Sequence, residues 1–563
     1  MGNLDQSLFC TSISCRTTRS DQPIRPKERR RMSTTQNLEM ERKASIAPSG
    51  EHSEDINHTA THATYYQDSA AGISEEHRQY LLERHGTLEL DPLPSNSPAD
   101  PYNWANSKKV INLVLVAIHA CMSTFTAAAI IPAYENIAVD LGVSLQRASY
   151  LTSLQIAILG GAPLIWKPFS NAYGRRPLFL LSLIVSLAGN IGCAKAPTYA
   201  TMAVCRAIVA FFISPAAAIG SVVVTETFFK KDRAKYMGIW TLMVTIGVPF
   251  SPFIMGFVAY HVGWRWIYWI LAIINGVQFI TYVFFGPETR YLRAGVQHPS
   301  STFREEYLTF HRIDPKPLRF YDFIHPLSLA AKPCIMIPAA AYAMTFLWGS
   351  VLITVELPQL FGAKFGFNAQ QLGLQFLALI IGSVIGEQLG GTLSDYWMNR
   401  RARKTKIPPA PEYRLWLSYA GFILTIVGVV VFLVKTQEAP EHHWNITPVI
   451  GIAIAGIGNQ LVTTVLITYA VDSHIEESAS IGVFITFVRQ VWGFIGPFWF
   501  PDMFTNVGVA ASAGVAAACL VGVSIVPTMI VQLMGKRWRP AKPADLAQVQ
   551  DQERGVGQTE TKS

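Results

Sequence analysis

The chain runs to 563 residues, half of them hydrophobic and only 15% charged, where soluble domains carry about 25% charged residues. That composition excludes a soluble globular protein. The formal charge of +8 does not call for nucleic acid either, because the basic residues gather in loops between apolar runs, where charge reports membrane topology.

Residues 1–107 are polar, rich in Ser, Thr and His, and without an apolar run, so they are expected to form a largely disordered cytoplasmic tail. No signal-peptide pattern opens the chain, and Gln6 stands where a myristoylation motif needs Ser or Thr. The basic cluster Arg25, Lys27, Arg29, Arg30 and Arg31 suits anionic lipid. Ser33, behind Arg30-Arg31-Met32, and Ser45, behind Arg42-Lys43-Ala44, read as sites for a kinase partner that prefers basic sequences. Solvated charge is the plainer alternative for both. Residues 75–85 are expected to form a short helix closed by Gly86.

Twelve apolar stretches follow, each long enough to cross about 30 Å of hydrocarbon as a helix. They are expected at 108–132, 148–168, 177–195, 199–225, 236–260, 264–285, 334–360, 370–394, 414–434, 446–471, 480–500 and 510–534. An even number puts both termini on one side of the bilayer. Lys and Arg crowd the loops on that side, as in Lys230, Lys231, Arg233 and Lys235 or Arg400, Arg401, Arg403 and Lys404, which makes it the cytoplasmic side. The seven cysteines are scattered without a CxxC pair, so no disulfide framework, metal or other cofactor is expected.

A central loop at 286–333 divides the spans into bundles at 108–285 and 334–536, with a C-terminal cytoplasmic tail at 537–563. The halves repeat. The turn after span 2 contains Lys167, Gly174, Arg175 and Arg176, and the turn after span 8 contains Gly391, Leu393 and Asp395. Span 4 runs out through Glu226 and span 10 through Asp472. The expected fold is an all-α membrane protein of twelve helices in two pseudo-repeated six-helix bundles.

Span 5, GIWTLMVTIGVPFSPFIMG, is an uncharged run punctuated by Gly238, Gly247, Ser251, Pro252 and Gly256. Gly238 and Gly256 lie five helical turns apart, and Gly247 with Ser251 makes a small-xxx-small pair, so close helix approach is expected. Pro249 and Pro252 each remove an amide donor, which is expected to bend the span. This spacing resembles the antiporter motif in the fifth span of drug:proton antiporters of the major facilitator superfamily, with Ser251 and Met255 in place of two of its glycines. The turn after span 2 is similar to that family's G-x-L-x-D-R-x-G-R-R signature, departing from it at Lys167, Asn171 and Ala172. The lead-in at residues 89–104, the Gly286-Pro-Glu-Thr-Arg stretch and the Asn459 region also resemble fungal members. What the resemblance implies is alternating access between two bundles, with a cytoplasmic latch resting on the aspartate of the signature, kept here as Asp395.

Ionisable groups at membrane depth demand a reason. Arg206 in span 4 matches the family's fourth-span arginine, which implies substrate or proton handling; a structural pair is the alternative. Arg489 in span 11 faces the same choice. Glu387 in span 8 and His119 in span 1 suit proton coupling, against a pairing of Glu387 with Arg489 and a packing role for His119. Glu356 is expected near the outer mouth, hydrated. Asn459, Gln460, Thr463 and Thr464 form a polar face of span 10, a cavity helix in the family. Trp348, Phe346, Trp240, Trp492 and Trp499 offer aromatic surface for flat amphipathic or cationic molecules.

The function expected is proton-driven export of a small organic molecule, such as a drug, toxin or secondary metabolite, across the plasma membrane or the vacuolar membrane. A proton-coupled nutrient importer and a transporter-like nutrient receptor are the alternatives. The partners are the substrate, protons and the lipid bilayer, not nucleic acid. No GxxxxGK[ST] loop supplies ATP chemistry, and no nucleophile, base and orienting group assemble into an enzyme.

Overall fold

The computed structural model describes residues 73–292, 307, 312–405 and 409–539. Ser33, Ser45, the basic cluster at 25–31 and the tail beyond residue 539 lie outside the described residues.

Twelve helices are long and apolar enough to cross a membrane, and no strand occurs among the described residues. They run Asn106–Leu141, Leu145–Tyr173, Arg176–Ala194, Tyr199–Thr227, Lys230–His261, Trp264–Phe285, Pro333–Phe365, Ala369–Thr405, Pro411–Glu438, Thr447–Ser473, Ser480–Phe498 and Val509–Trp538. Each covers its expected stretch to within a few residues except where polar sequence prolongs the helix. Span 5 begins at Lys230 and span 8 continues to Thr405, because straight-chain Lys and Arg are good helix formers and end the helix in water. The helix of span 5 continues through both Pro249 and Pro252.

The molecule has a linker end, where residues 286–332 join span 6 to span 7, and a far end. At the far end the two sets of six helices meet chiefly where span 5 lies on span 8 and span 2 on span 11. Span 5 lies on span 8 so closely that a Cβ on Gly256 would sit 2.6 Å from the Ala369 carbonyl and one on Gly373 would sit 2.8 Å from the Pro252 carbonyl. Span 2 lies on span 11, with Gln146 Nε2 donating to the Pro497 carbonyl at 2.6 Å and the Tyr150 ring stacked on Phe498 at 4.5 Å. The pairs 5/8 and 2/11 exchange under the repeat. At the linker end the first pair opens: Gly238 and Gly391 have nothing within 4 Å of a built Cβ, and the Asp395 side chain is 71% exposed. The second pair stays bridged there by Lys167, whose Nζ donates to Ser480 Oγ at 2.7 Å.

The stretch 73–107 differs from the expected disordered tail. The helix Glu75–His85 forms as expected, with Ser74 capping its start and Gly86 in the left-handed conformation at its end. Beyond it the chain packs on the first bundle. Leu81, Leu90 and Tyr102 are buried with Phe229, Lys230 pairs with Asp91 at 3.1 Å, and Lys109 Nζ donates to the Tyr102 carbonyl at 2.8 Å. Polar composition averaged over the whole segment hides this small apolar set.

Candidate substrate cavity

A cavity lies where the bundles face each other, walled by spans 1, 2 and 5 on one side and by spans 7, 8, 10 and 11 on the other. It holds about 930 Å³ of empty space, its mouth included. Four of the polar residues singled out in the sequence line it: Asn459, Gln460, Thr463 and Arg489. Thr124, Thr152, Ser383 and Gln490 also line it and were missed, since isolated polar residues in the first bundle and on spans 8 and 11 make no sequence pattern. Span 7 passes the cavity with a π-helical turn at Leu347–Leu352, which carries Ser350 and Val351 into the wall. Such turns are frequent at functional sites.

Span 10 builds a polar ladder by back-bonding. Thr463 Oγ1 donates to the Asn459 carbonyl at 2.7 Å and Thr464 Oγ1 to the Gln460 carbonyl at 3.1 Å. Asn459 Nδ2 donates to Gln460 Oε1 at 3.1 Å, while Asn459 Oδ1 is buried without a partner. Gln460 Nε2 then donates to the Glu387 carboxylate at 3.2 Å. Glu387 therefore sits behind the wall, tied to span 10 and not to Arg489. Thr464 lies beside it against Gly390.

Arg489 is half-buried, with Nη1 donating to the Tyr342 hydroxyl at 3.0 Å and the guanidinium 4.6 Å from the Phe346 ring centre. Its Nε is buried and unpartnered.

Three other candidates lie away from the wall. Arg206 is buried inside the first bundle and donates to the carbonyl of Leu151 at 3.1 Å, the hydroxyl of Tyr268 at 2.7 Å and the carbonyl of Ala127 at 3.2 Å. It clamps spans 1, 2, 4 and 6 through neutral oxygens, so the arrangement is neither the expected cavity position nor an ion pair. His119 is buried, its Nε2 at 2.9 Å from Ser182 Oγ and its ring edge-on to Phe179. Trp348 is buried against Trp499 and Phe500, with Nε1 donating to Met344 Sδ at 3.1 Å. Of the aromatic set expected to meet substrate, Phe346 alone lines the wall; the others are spent on packing.

Glu356 is a correction of another kind. Expected to be hydrated, it is 1% exposed, and Oε1 has no partner. It lies on span 7 at the far-end half, close enough to Tyr134 of the first bundle to interact with it, and Tyr134 donates to cavity-lining Thr152 at 2.7 Å. A chain-order estimate of depth put it at the surface; the far-end closure between bundles covers it.

Of the motif glycines of span 5, Gly247 and Gly256 pack closely, while Gly238 does not make the expected close approach. Gly247 faces span 1, where a Cβ would collide with Thr124 Oγ1 and lie 2.7 Å from the Cys121 carbonyl, and Ser251 Oγ donates to the Phe125 carbonyl at 2.6 Å. At the linker end of the first bundle, Arg175 pairs with Glu226 at 2.8 Å, and Glu288 accepts the backbone amides of Arg175 at 2.8 Å and Arg176 at 3.0 Å. An anion at the start of span 3 is favoured by the helix dipole. Burial pushes the Glu288 carboxyl up, with the amides of Arg175, Arg290 and Arg176 working against it. Gly174, at φ +95°, has to be glycine both for that conformation and to leave room for Glu288. In the second bundle Arg414 joins Asp395 at 3.3 Å and Asp472 at 3.7 Å, so Asp395 pairs within its own half.

Comparison with known proteins agrees with this geometry. The Major Facilitator Superfamily matches the chain over residues 116–497. An MFS-type transporter, atr4, of Stereocaulon alpinum is 28% identical, the match covering 74% of this chain and 75% of the relative. An uncharacterized transporter of Schizosaccharomyces pombe is 25% identical over 78% of this chain and 91% of its own length. Among solved structures, a bacterial homologue of the human lysosomal transporter Spinster, in an inward-facing and unoccupied conformation, superposes with a TM-score of 0.54 at 14% identity, covering 78% of this chain and 100% of that one.

Proposed function

The chain belongs to the Major Facilitator Superfamily, and on that premise we propose that it is a proton-driven exporter of small organic compounds, moving them by alternating access through the cavity between its bundles. It is a multi-pass membrane transporter and not an enzyme. The observation that carries the export reading is the packing of span 5. The antiporter-like stripe puts Gly247 and Ser251 on span 1 and Gly256 on span 8, so one helix seals the first bundle and closes the far end together. A seal of that kind limits leak of protons and substrate while the linker end is open.

Proton coupling runs through membrane-embedded carboxyls. Glu387 stands behind the cavity wall, hydrogen-bonded to a residue that lines it. Glu356 is sealed at the bundle interface with no ion pair among the described residues, where an ionised carboxylate is costly, so it suits a group that holds a proton until the far end opens. The linker end is read as cytoplasmic from its Lys and Arg, with both termini on that side and the plasma membrane as the site of action.

The test is transport in sealed vesicles with an imposed pH gradient and a panel of amphipathic compounds. Proton-dependent accumulation in inside-out vesicles is expected. Uptake in the opposite sense, or transport indifferent to the gradient, refutes export and leaves a nutrient importer or a facilitator.

A further inference from the structure

We infer that the cavity selects organic anions: a compound with a flat or aliphatic body and one carboxylate or comparable acid group, which Arg489 neutralises. The inference rests on reading this cavity as the transport site, and it replaces the cationic molecules expected from the aromatic residues of the sequence.

The charge inventory of the wall carries it. Among the described residues that line the cavity, Arg489 is the one ionisable side chain apart from Tyr342, and none is Asp, Glu, Lys or His. A guanidinium has five N–H donors, and here a single bond to a neutral hydroxyl is formed, at 3.0 Å to Tyr342. Nε is buried with no acceptor, and no carboxylate lies within ion-pair distance of Arg489 among the described residues. Glu387, behind the wall, accepts from Gln460 and not from Arg489. A half-buried cation with a buried, unfilled donor favours an anion, because part of the penalty of its own desolvation has already been incurred and a carboxylate fits the guanidinium fork with two parallel bonds.

The surroundings fit the rest of such a molecule. Phe346 lies against one face of the guanidinium, which holds the fork in place, and Val351, Val248 and Leu379 give apolar wall around it. Asn459 presents a buried carbonyl oxygen without a donor, matching a hydroxyl or amide on the body of the ligand. Contrast an aromatic cage for ammonium groups: it needs several ring faces and no fixed cation, and this wall has one phenyl, one phenol and an arginine.

The experiment is equilibrium binding to the full chain in nanodiscs, with no gradient, using three probes that share one ring system: 2-naphthylacetate, its primary amide, and 2-(2-naphthyl)ethylammonium. Because no direction of transport enters, a failure here leaves the export reading standing, and a failure of export leaves this result standing. The carboxylate is expected to bind at least about tenfold more tightly than the amide, and the ammonium more weakly than either. Arg489→Gln is expected to remove the preference for the carboxylate over the amide, and Arg489→Lys to restore part of it. Equal or tighter binding of the ammonium or the amide by the parent protein overturns the inference without reference to any variant. So does an Arg489→Gln protein that still prefers the carboxylate.

Discussion

Arg206 and Arg489 are both arginines at membrane depth, one in each bundle, and they have opposite surroundings. The interior around Arg206 gives the guanidinium three oxygens from three other spans. The wall around Arg489 gives it one hydroxyl and leaves Nε bare. A satisfied cation holds helices together; an unsatisfied one facing empty space has capacity left for a ligand. Residue type is the same in both places, and the supply of acceptors decides the role.

Arg206→Leu is expected to have the largest effect. It removes three hydrogen bonds from a charged donor, each worth about 1.5–3 kcal/mol, and strands the Tyr268 hydroxyl. Loss of most folded protein after mild heating is expected, read by size-exclusion of the solubilised chain. Gly247→Val tests the helix contacts that frame the first region. Its added carbons meet Thr124 and the Cys121 carbonyl, and overpacking of that kind costs about 1–3 kcal/mol, so a lower thermal midpoint with impaired transport is expected.

Glu356→Gln sharpens the comparison from the side of the carboxyls. An amide fills the same space at a site with no cation to abandon, so folding is expected to survive while transport loses its dependence on the pH gradient, measured by proton flux against substrate flux in vesicles. Retained coupling in this variant and its loss in Glu387→Gln would move the proton to the span 8 carboxylate. Arg489→Gln is expected to change the thermal midpoint less than Arg206→Leu, because one hydrogen bond from the guanidinium is lost there against three.

The smallest effect belongs to the linker end. Lys332 Nζ donates to Glu477 at 2.6 Å and holds that carboxyl below its ordinary range. A depressed carboxyl contributes stability above its unfolded value near 4.3, and that contribution is lost as pH falls through the folded value. Glu477→Gln is therefore expected to lower stability at neutral pH by no more than about 1 kcal/mol and to match the parent in strong acid, by thermal scans across that window.

Apolar length made the fold legible. Twelve runs, the six-and-six division and the helix at 75–85 are local properties, and each reappears in the structure. The polar face of span 10 was legible for the same reason, since helical spacing puts Asn459, Gln460 and Thr463 on one side. What sequence lacks is rotation and company. His119 turns into its bundle toward Ser182, Trp348 toward Trp499, and Arg206 toward three oxygens that come from distant parts of the chain. Glu356 was misplaced because its burial depends on the far-end contact between bundles, which no single span records.

Alternating access is the central claim, and the far-end contact between spans 2 and 11 tests it most directly. Tyr150 and Phe498, whose rings stack at 4.5 Å, would both be replaced by cysteine and joined by a short reducible bis-methanethiosulfonate linker in sealed vesicles. Transport is expected to stop when the link forms, binding from the linker end to persist, and a reductant to restore transport. Undiminished transport with the link shown intact by mass spectrometry would contradict that claim.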